Sequence, residues 1–268
     1  MVNALSYTLV SVLIVSLLSL IGAITLFFGR QKVEKFLIYL VGFSAGALLG
    51  DAFLHLIPES VESAGGFVPA ISLYILVGIF FAFVVEKILH WGHTHHFHHI
   101  RDKKEELKKK KEKAVGVRKE KSTLGYMNLF GDAMHNFVDG IVIGASYLVS
   151  IPLGFATTLA VVFHEIPQEL GDFGVLLHSG FNRKKALLFN FFSAALAIAG
   201  GILAVWLSSR IDGLLLFLIP FTAGNFIYIA SSNLIPELQK EPRLGRSLAQ
   251  LVSMLAGIVV MIALLALG

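Results

Sequence analysis

Apolar residues in this chain are gathered into eight long runs, near 5–29, 35–57, 68–90, 124–149, 153–178, 184–208, 213–235 and 247–267. A helix needs about 20 mainly apolar residues to cross about 30 Å of hydrocarbon, and each run is close to that length. In lipid, backbone polar groups must be paired within a helix or round a closed barrel, and runs this long predict helices. The expected fold class is all-α and integral to the membrane. Eight transmembrane helices form a single transporter-sized domain over 1–268.

Composition agrees with the runs. Of 268 residues, 56% are hydrophobic and only 15% charged, where a soluble domain carries about 25% charged residues. The lipid bilayer is the first expected partner. A formal charge of +4 would suit a nucleic-acid binder, but its placement argues for a membrane protein with no nucleic-acid partner. Numbering the loops from the N-terminus, 21 of the 22 Lys and Arg residues fall on odd loops, and Arg210 alone sits on an even one. By the positive-inside rule both termini lie outside and the odd loops are cytoplasmic; in a prokaryote this means the cell membrane. The run Leu5 to Phe28 is too long for a cleaved leader, and its basic residues follow it. There is no Cys, so thiolate metal sites and Cys nucleophiles are excluded.

The third loop, 91–122, is the one long polar segment and is expected to be solvated, disordered or loosely helical. Six histidines, His90, His93, His95, His96, His98 and His99, crowd its start. Clustered imidazoles bind borderline divalent metals, so metal capture or sensing is one reading of the loop. A dispensable accessory is the other.

An internal repeat organises the spans. Phe43-Ser44-Ala45-Gly46 in span two precedes Leu56-Ile57-Pro58-Glu59, and Phe221-Thr222-Ala223-Gly224 in span seven precedes Leu234-Ile235-Pro236-Glu237. Every matched position is 178 residues from its partner. The two spans run in opposite directions, so the repeat is inverted, with spans 1–3 and 6–8 arranged around spans 4–5. Inverted repeats with polar groups at mid-membrane are a mark of secondary transporters.

Those polar groups lie in spans four and five. Span four reads Asp132-x-x-His135-Asn136-x-x-Asp139-Gly140, and span five reads His164-Glu165-x-Pro167-Gln168-Glu169-x-Gly171-Asp172. An acidic residue at mid-span costs about 2.5–3.5 kcal/mol on insertion scales, so five carboxylates in two spans point to function rather than packing. Residues four apart share a helix face. His135 with Asp139, and His164 with Gln168, can therefore offer ligands to one cation, while Asn136 and Glu165 lie one residue round and reach a neighbouring one. Pro167 cannot donate to the carbonyl of Phe163, which leaves that oxygen free. Imidazole and carboxylate without thiolate suit Zn²⁺, Fe²⁺, Mn²⁺, Co²⁺, Ni²⁺ or Cd²⁺. A transport path is sketched by Asp51, His55 and Glu59 in the outer half of span two, and by Asp132, Glu169, Asp172 and His178 towards the cytoplasm.

The strings HNFVDG and HEIPQELGD resemble the signatures of the ZIP (Zrt-/Irt-like) metal transporters, closest to the branch whose fifth span reads H-E-x-P-H-E-x-G-D. The resemblance implies import of a divalent metal, commonly zinc, through a two-metal centre between spans four and five. It also implies alternating access and frequently a homodimer. The first metal position would use His135, Asp139, His164 and Gln168; the second would use Asn136 and Glu165, with Asp139 as a bridge. Gln168 departs from the His of that branch, and Ala197 stands where some members place a span-six Glu. No catalytic residue and no catalytic cofactor is expected; the metal is cargo. Two rival readings are an intramembrane zinc hydrolase, since His164-Glu165-x-x-Gln168 is one residue short of H-E-x-x-H, and a metal sensor without flux.

Overall fold

The computed structural model describes residues 2–23, 30–94 and 109–267. These residues are mostly helical, with short turns between the helices and no strand among them. Helix α1 is Val2–Leu18, closed by a 3₁₀ turn Ser19–Ala23. Helix α2 runs from Arg30–Asp51 through a π turn, Ala52–Leu56, into Ile57–Ser63. Helices α3 (Pro69–Thr94), α4 (Lys109–Val149) and α5 (Ile151–His178) follow. Helix α6 comprises Arg183–Ala194 and Leu196–Ser208, and α7 comprises Leu214–Tyr228, a π turn Ile229–Leu234 and Ile235–Leu238. Helix α8 is Leu244–Leu264.

Six of these helices are long and apolar enough to cross a membrane, between Asn3 and Leu264. Helices α4 and α5 have the length but carry the acidic and imidazole side chains of the centre, which dilute their apolar character. The protein is an all-α membrane protein. The helix that leads into α4 is already formed at Lys109, so much of the basic stretch before span four is helical. His90 and His93 fall on the last turns of α3, whereas His95, His96, His98 and His99 lie outside the described residues.

Local chemistry sets the helix ends that matter for the centre. Ser150 accepts a hydrogen bond from the Leu153 amide at 3.2 Å and starts α5, with Pro152 in its first turn. Gly180, with φ of 89°, ends α5 in the left-handed conformation that other residues avoid, and the amides of Gly180 and Phe181 return to Leu177 and Leu176.

The repeat is a repeat of packing as well as of sequence. Helix α2 packs along α8, and α7 packs along α3. A Cβ on Gly46 would lie 2.0 Å from the Met254 carbonyl oxygen, and one on Gly224 would lie 2.1 Å from that of Ile75. Reciprocally, Gly257 meets the carbonyl of Phe43 at 2.2 Å, and Gly78 meets that of Phe221 at 2.1 Å. The F-x-A-G string therefore supplies a seat for a neighbouring helix twice, once in each half. The two π turns also fall at equivalent places, each ending on the Leu of an L-I-P-E. Helix α4 sits as closely on α6, where Gly140 lies under the Ala197 carbonyl and Gly200 under that of Phe137.

Candidate metal centre

Helices α4 and α5 lie side by side at the middle of the bundle, with α2 against α5 and α6 against α4. The i and i+4 spacing of His135 and Asp139 puts both on the face of α4 that meets His164 and Glu165 of α5. His164 Nε2 is 3.1 Å from Asp139 Oδ2, 3.2 Å from His135 Nε2 and 3.5 Å from Glu165 Oε1. His135 Nε2 is 3.7 Å from Asp139 Oδ2 and 3.4 Å from Glu165 Oε1. Zinc bonds of about 2.0–2.2 Å in a tetrahedron place neighbouring ligand atoms about 3.3–3.6 Å apart. The five separations bracket that value.

The tautomer of His164 supports ligation. Its Nδ1 lies 3.1 Å from the carbonyl of Ala160, which can only accept, so Nδ1 is the nitrogen that donates and Nε2 is the one turned to the other three residues. One nitrogen or oxygen of each of the four residues lies within 4.8 Å of the others, with Asp139, His164 and Glu165 buried. The four side chains could hold a divalent metal ion.

Pro167 lies inside α5, and the carbonyl it leaves without a helical donor, that of Phe163, accepts from Ser44 Oγ of α2 at 2.5 Å. Ser44 belongs to the F-x-A-G string, so the repeat motif also ties α2 to the residue before His164. Phe43 packs edge-on against Phe163, and Phe226 of α7 stands beside the His164 ring. This apolar wall closes one side of the centre.

The other side opens into a cavity of about 300 Å³ between α3, α4, α5 and α7. His135 is the member of the four-residue group that touches it, with 21% of its side chain exposed. Asn128, Asp172, Glu86 and Asn233 stand round the cavity, and Asn128 donates to Asp172 at 3.0 Å.

The remaining candidates are placed as follows. Gln168 Nε2 donates to Asp132 Oδ1 at 3.4 Å, while Asn136 Nδ2 donates to the same oxygen at 2.9 Å. Neither stands in the four-residue group. Asp51 and His55 are buried in the π turn region of α2, 3.4 Å apart, with no hydrogen-bond partner for their ring nitrogens and carboxylate oxygens. Glu59 is held by Ser63, and exposed Glu237 pairs with Lys240. His178 is exposed at the end of α5. Sequence reasoning missed two residues of α6: Asn190 donates to Glu169, and Ser193 donates to Asp132. Their signal was available, since Asn190 and Ser193 are polar residues three apart inside an apolar span.

The model of the ZIP zinc transporter family matches residues 5–265. The chain belongs to the ZIP zinc transporter family. It is 32% identical to zinc transporter zipt-7.1 of Caenorhabditis briggsae over 90% of this chain and 74% of that protein. It is 35% identical to zinc transporter ZIP13 of Pongo abelii and 31% identical to zinc transporter SLC39A7 of Rattus norvegicus, each over 83% of this chain. The chain spans 65% and 64% of those two proteins. Family membership removes the hydrolase reading, because the family and these relatives are transporters rather than enzymes. A His/carboxylate cluster within a membrane bundle fits a metal site in such a family.

Proposed function

We propose that this chain carries zinc across the membrane towards the cytoplasm by alternating access, and that the conformation described is open to the inside. The observation that carries the reading is the one-sided access of the centre. Three ligands are sealed behind Phe163 and Phe226, and His135 alone meets a cavity. The cavity is bordered by Glu86, Asp172 and Asn233, which lie close in sequence to the basic loops after α3, α5 and α7. The positive-inside rule sets those loops in the cytoplasm.

The mechanism follows from the ligand set. Two imidazoles and two carboxylates select borderline divalent ions over hard ones such as Mg²⁺. Because His135 faces water, it can release the ion first and leave a three-ligand intermediate that aqueous ligands complete. On the closed side, buried Asp51 and His55 stand where an ion from outside would next find donors once the wall at Phe163 opens.

Zinc uptake into liposomes with a trapped fluorescent indicator tests this reading. Saturable uptake by the wild type, lost in His135→Ala and His164→Ala, supports it; binding without flux in an intact preparation would sink it and favour a sensor. The chain has no Cys, so Asn233→Cys gives a clean probe of sidedness. An impermeant thiol reagent is expected to label it from the inner face, and labelling only from outside would reverse the proposed direction.

A further inference from the structure

Three consecutive cations open α6. Arg183, Lys184 and Lys185 fill the first turn behind the Asn182 cap, and all three are exposed. The first turn of a helix favours acids, and α6 has none there. The sequence holds no Asp or Glu from Phe173 to Ile211, and among the described residues no carboxylate forms an ion pair with any of the three. The turn after α7 is different. There Lys240 pairs with Glu237, and Arg246 pairs with Glu241 at 3.3 Å. Basic charge between α7 and α8 is answered within the chain, whereas that between α5 and α6 is not.

A second basic segment reaches the same corner. From Lys109 to Lys121, α4 has seven Lys and Arg residues against two Glu. Gly125 follows Lys121 by one helical turn, about 6 Å. At that point α4 presses on the α5–α6 turn: a Cβ on Gly125 would lie 2.9 Å from Ser179 Cβ and 2.6 Å from the Phe181 ring. Tyr126 stands edge-on to Phe181 with ring centres 5.2 Å apart, and Phe181 stands edge-on to Phe189 at 5.7 Å. These rings fix the corner, so two basic segments far apart in sequence share one end of the bundle.

Along each helix the surface then turns apolar. Lys184, Leu188 and Phe192 follow at i, i+4 and i+8 on one exposed face of α6, and exposed Tyr126 and Phe130 follow at i and i+4 on α4. A face that passes from cation to aliphatic and aromatic side chains within two turns matches a phospholipid from phosphate to acyl chain. A soluble polyanion would use only its first turn. We infer that this corner, formed by Arg183, Lys184 and Lys185 with Leu188 and Phe192 beside Tyr126 of α4, binds the headgroup and upper acyl chain of an anionic phospholipid. The positive-inside rule sets it in the cytoplasmic leaflet, which is the leaflet rich in anionic lipid. Each cation near such a surface strengthens binding by about fivefold.

The inference does not depend on whether the chain moves zinc, or in which direction. Native mass spectrometry of the full-length chain released from mixed micelles counts the lipids that stay bound. Phosphatidylglycerol is offered against phosphatidylcholine with the same acyl chains. The wild type is expected to prefer phosphatidylglycerol by about tenfold or more. Replacing Arg183, Lys184 and Lys185 together by Gln is expected to reduce that preference by about fivefold or more. Replacing Lys240, Arg243 and Arg246 by Gln removes the same charge and is expected to leave the preference within about twofold. Leu188→Ala with Phe192→Ala keeps every cation and is expected to weaken phosphatidylglycerol by about threefold or more. All these side chains are exposed except that of Arg246, which is partly buried, and thermal unfolding of each variant checks that the fold is kept. No preference in the wild type would overturn the inference. Equal loss in the two Gln variants would also overturn it, because the lipid would then be reading general basic charge. Displacement of phosphatidylglycerol by poly-glutamate at equal charge, with no effect of the Leu188 and Phe192 changes, would give the surface to an acidic protein instead.

Discussion

Replacing His135 and His164 one at a time separates ligation from packing. Both rings direct Nε2 at the same point, 3.2 Å apart, so each supplies one of four ligands. Loss of an outer partner of a metal ligand commonly costs 10–100-fold in affinity. Loss of a ligand itself should cost at least about 100-fold, or about 2.7 kcal/mol. The two substitutions should therefore be alike in zinc binding and in flux. They should differ in stability. The His135 side chain is 21% exposed on the cavity, where water can replace it, whereas that of His164 is 1% exposed and packs on Phe226. His164→Ala opens a void in a closed wall and should cost about 1–3 kcal/mol of folding stability; His135→Ala should cost less than about 0.5 kcal/mol. Chelator competition reads the affinity, liposome uptake the flux, and thermal unfolding in metal-free detergent the stability. Zinc affinity within about threefold of wild type in either variant would refute the four-ligand centre. Equal destabilisation by the two would refute the one-sided access on which the inward-open reading depends.

Removing Ser44 tests the bond that replaces what Pro167 deletes: Ser44→Ala should cost about 0.6–1.7 kcal/mol by thermal unfolding, and less in a Pro167→Ala background, where the Phe163 carbonyl regains a helical donor. Additive costs would show that Ser44 and Pro167 are not coupled. Gly46→Ala and Gly224→Ala each drive a Cβ against a backbone oxygen and should destabilise by similar amounts, about 1–3 kcal/mol, by the same measurement; a harmless change at one alone would break the packing repeat. Gln168→Ala should change zinc affinity by less than about fivefold, because its amide is turned to Asp132, and a larger loss by chelator competition would return Gln168 to the ligand set. Saturating zinc at about 100 times its Kd should stabilise the folded chain by about 2.7 kcal/mol over the chelated protein, and an unchanged melting curve would count against a zinc site that forms only in the folded state.

The parts of this fold that were legible in advance are those with a covalent or one-dimensional signature. Span length and the 178-residue repeat are properties of order along the chain, and so is the i, i+4 pairing of His135 with Asp139. The repeat proved to carry more than symmetry. The glycine of each F-x-A-G seats a carbonyl of the neighbouring helix, and Ser44 bonds the carbonyl that Pro167 orphans. What sequence order does not contain is which residue of a facing pair wins a shared partner. On α5, Glu165 and Gln168 lie on adjoining faces, and helical spacing alone favours Gln168 beside His164 as a companion ligand. In the bundle, Glu165 stands against the two imidazoles while Gln168 is drawn to Asp132. Asp132 in turn is held by Ser193, a residue 61 positions away that the sequence marks as polar within an apolar span without naming its partner. Helix α6 thus bears on the centre at one remove: among the described residues it makes no hydrogen bond to the histidine group, but Ser193 holds Asp132, the acid to which Gln168 donates. Substitutions at Asn190 and Ser193 are accordingly expected to alter which side chains complete the histidine centre, even though neither residue belongs to it.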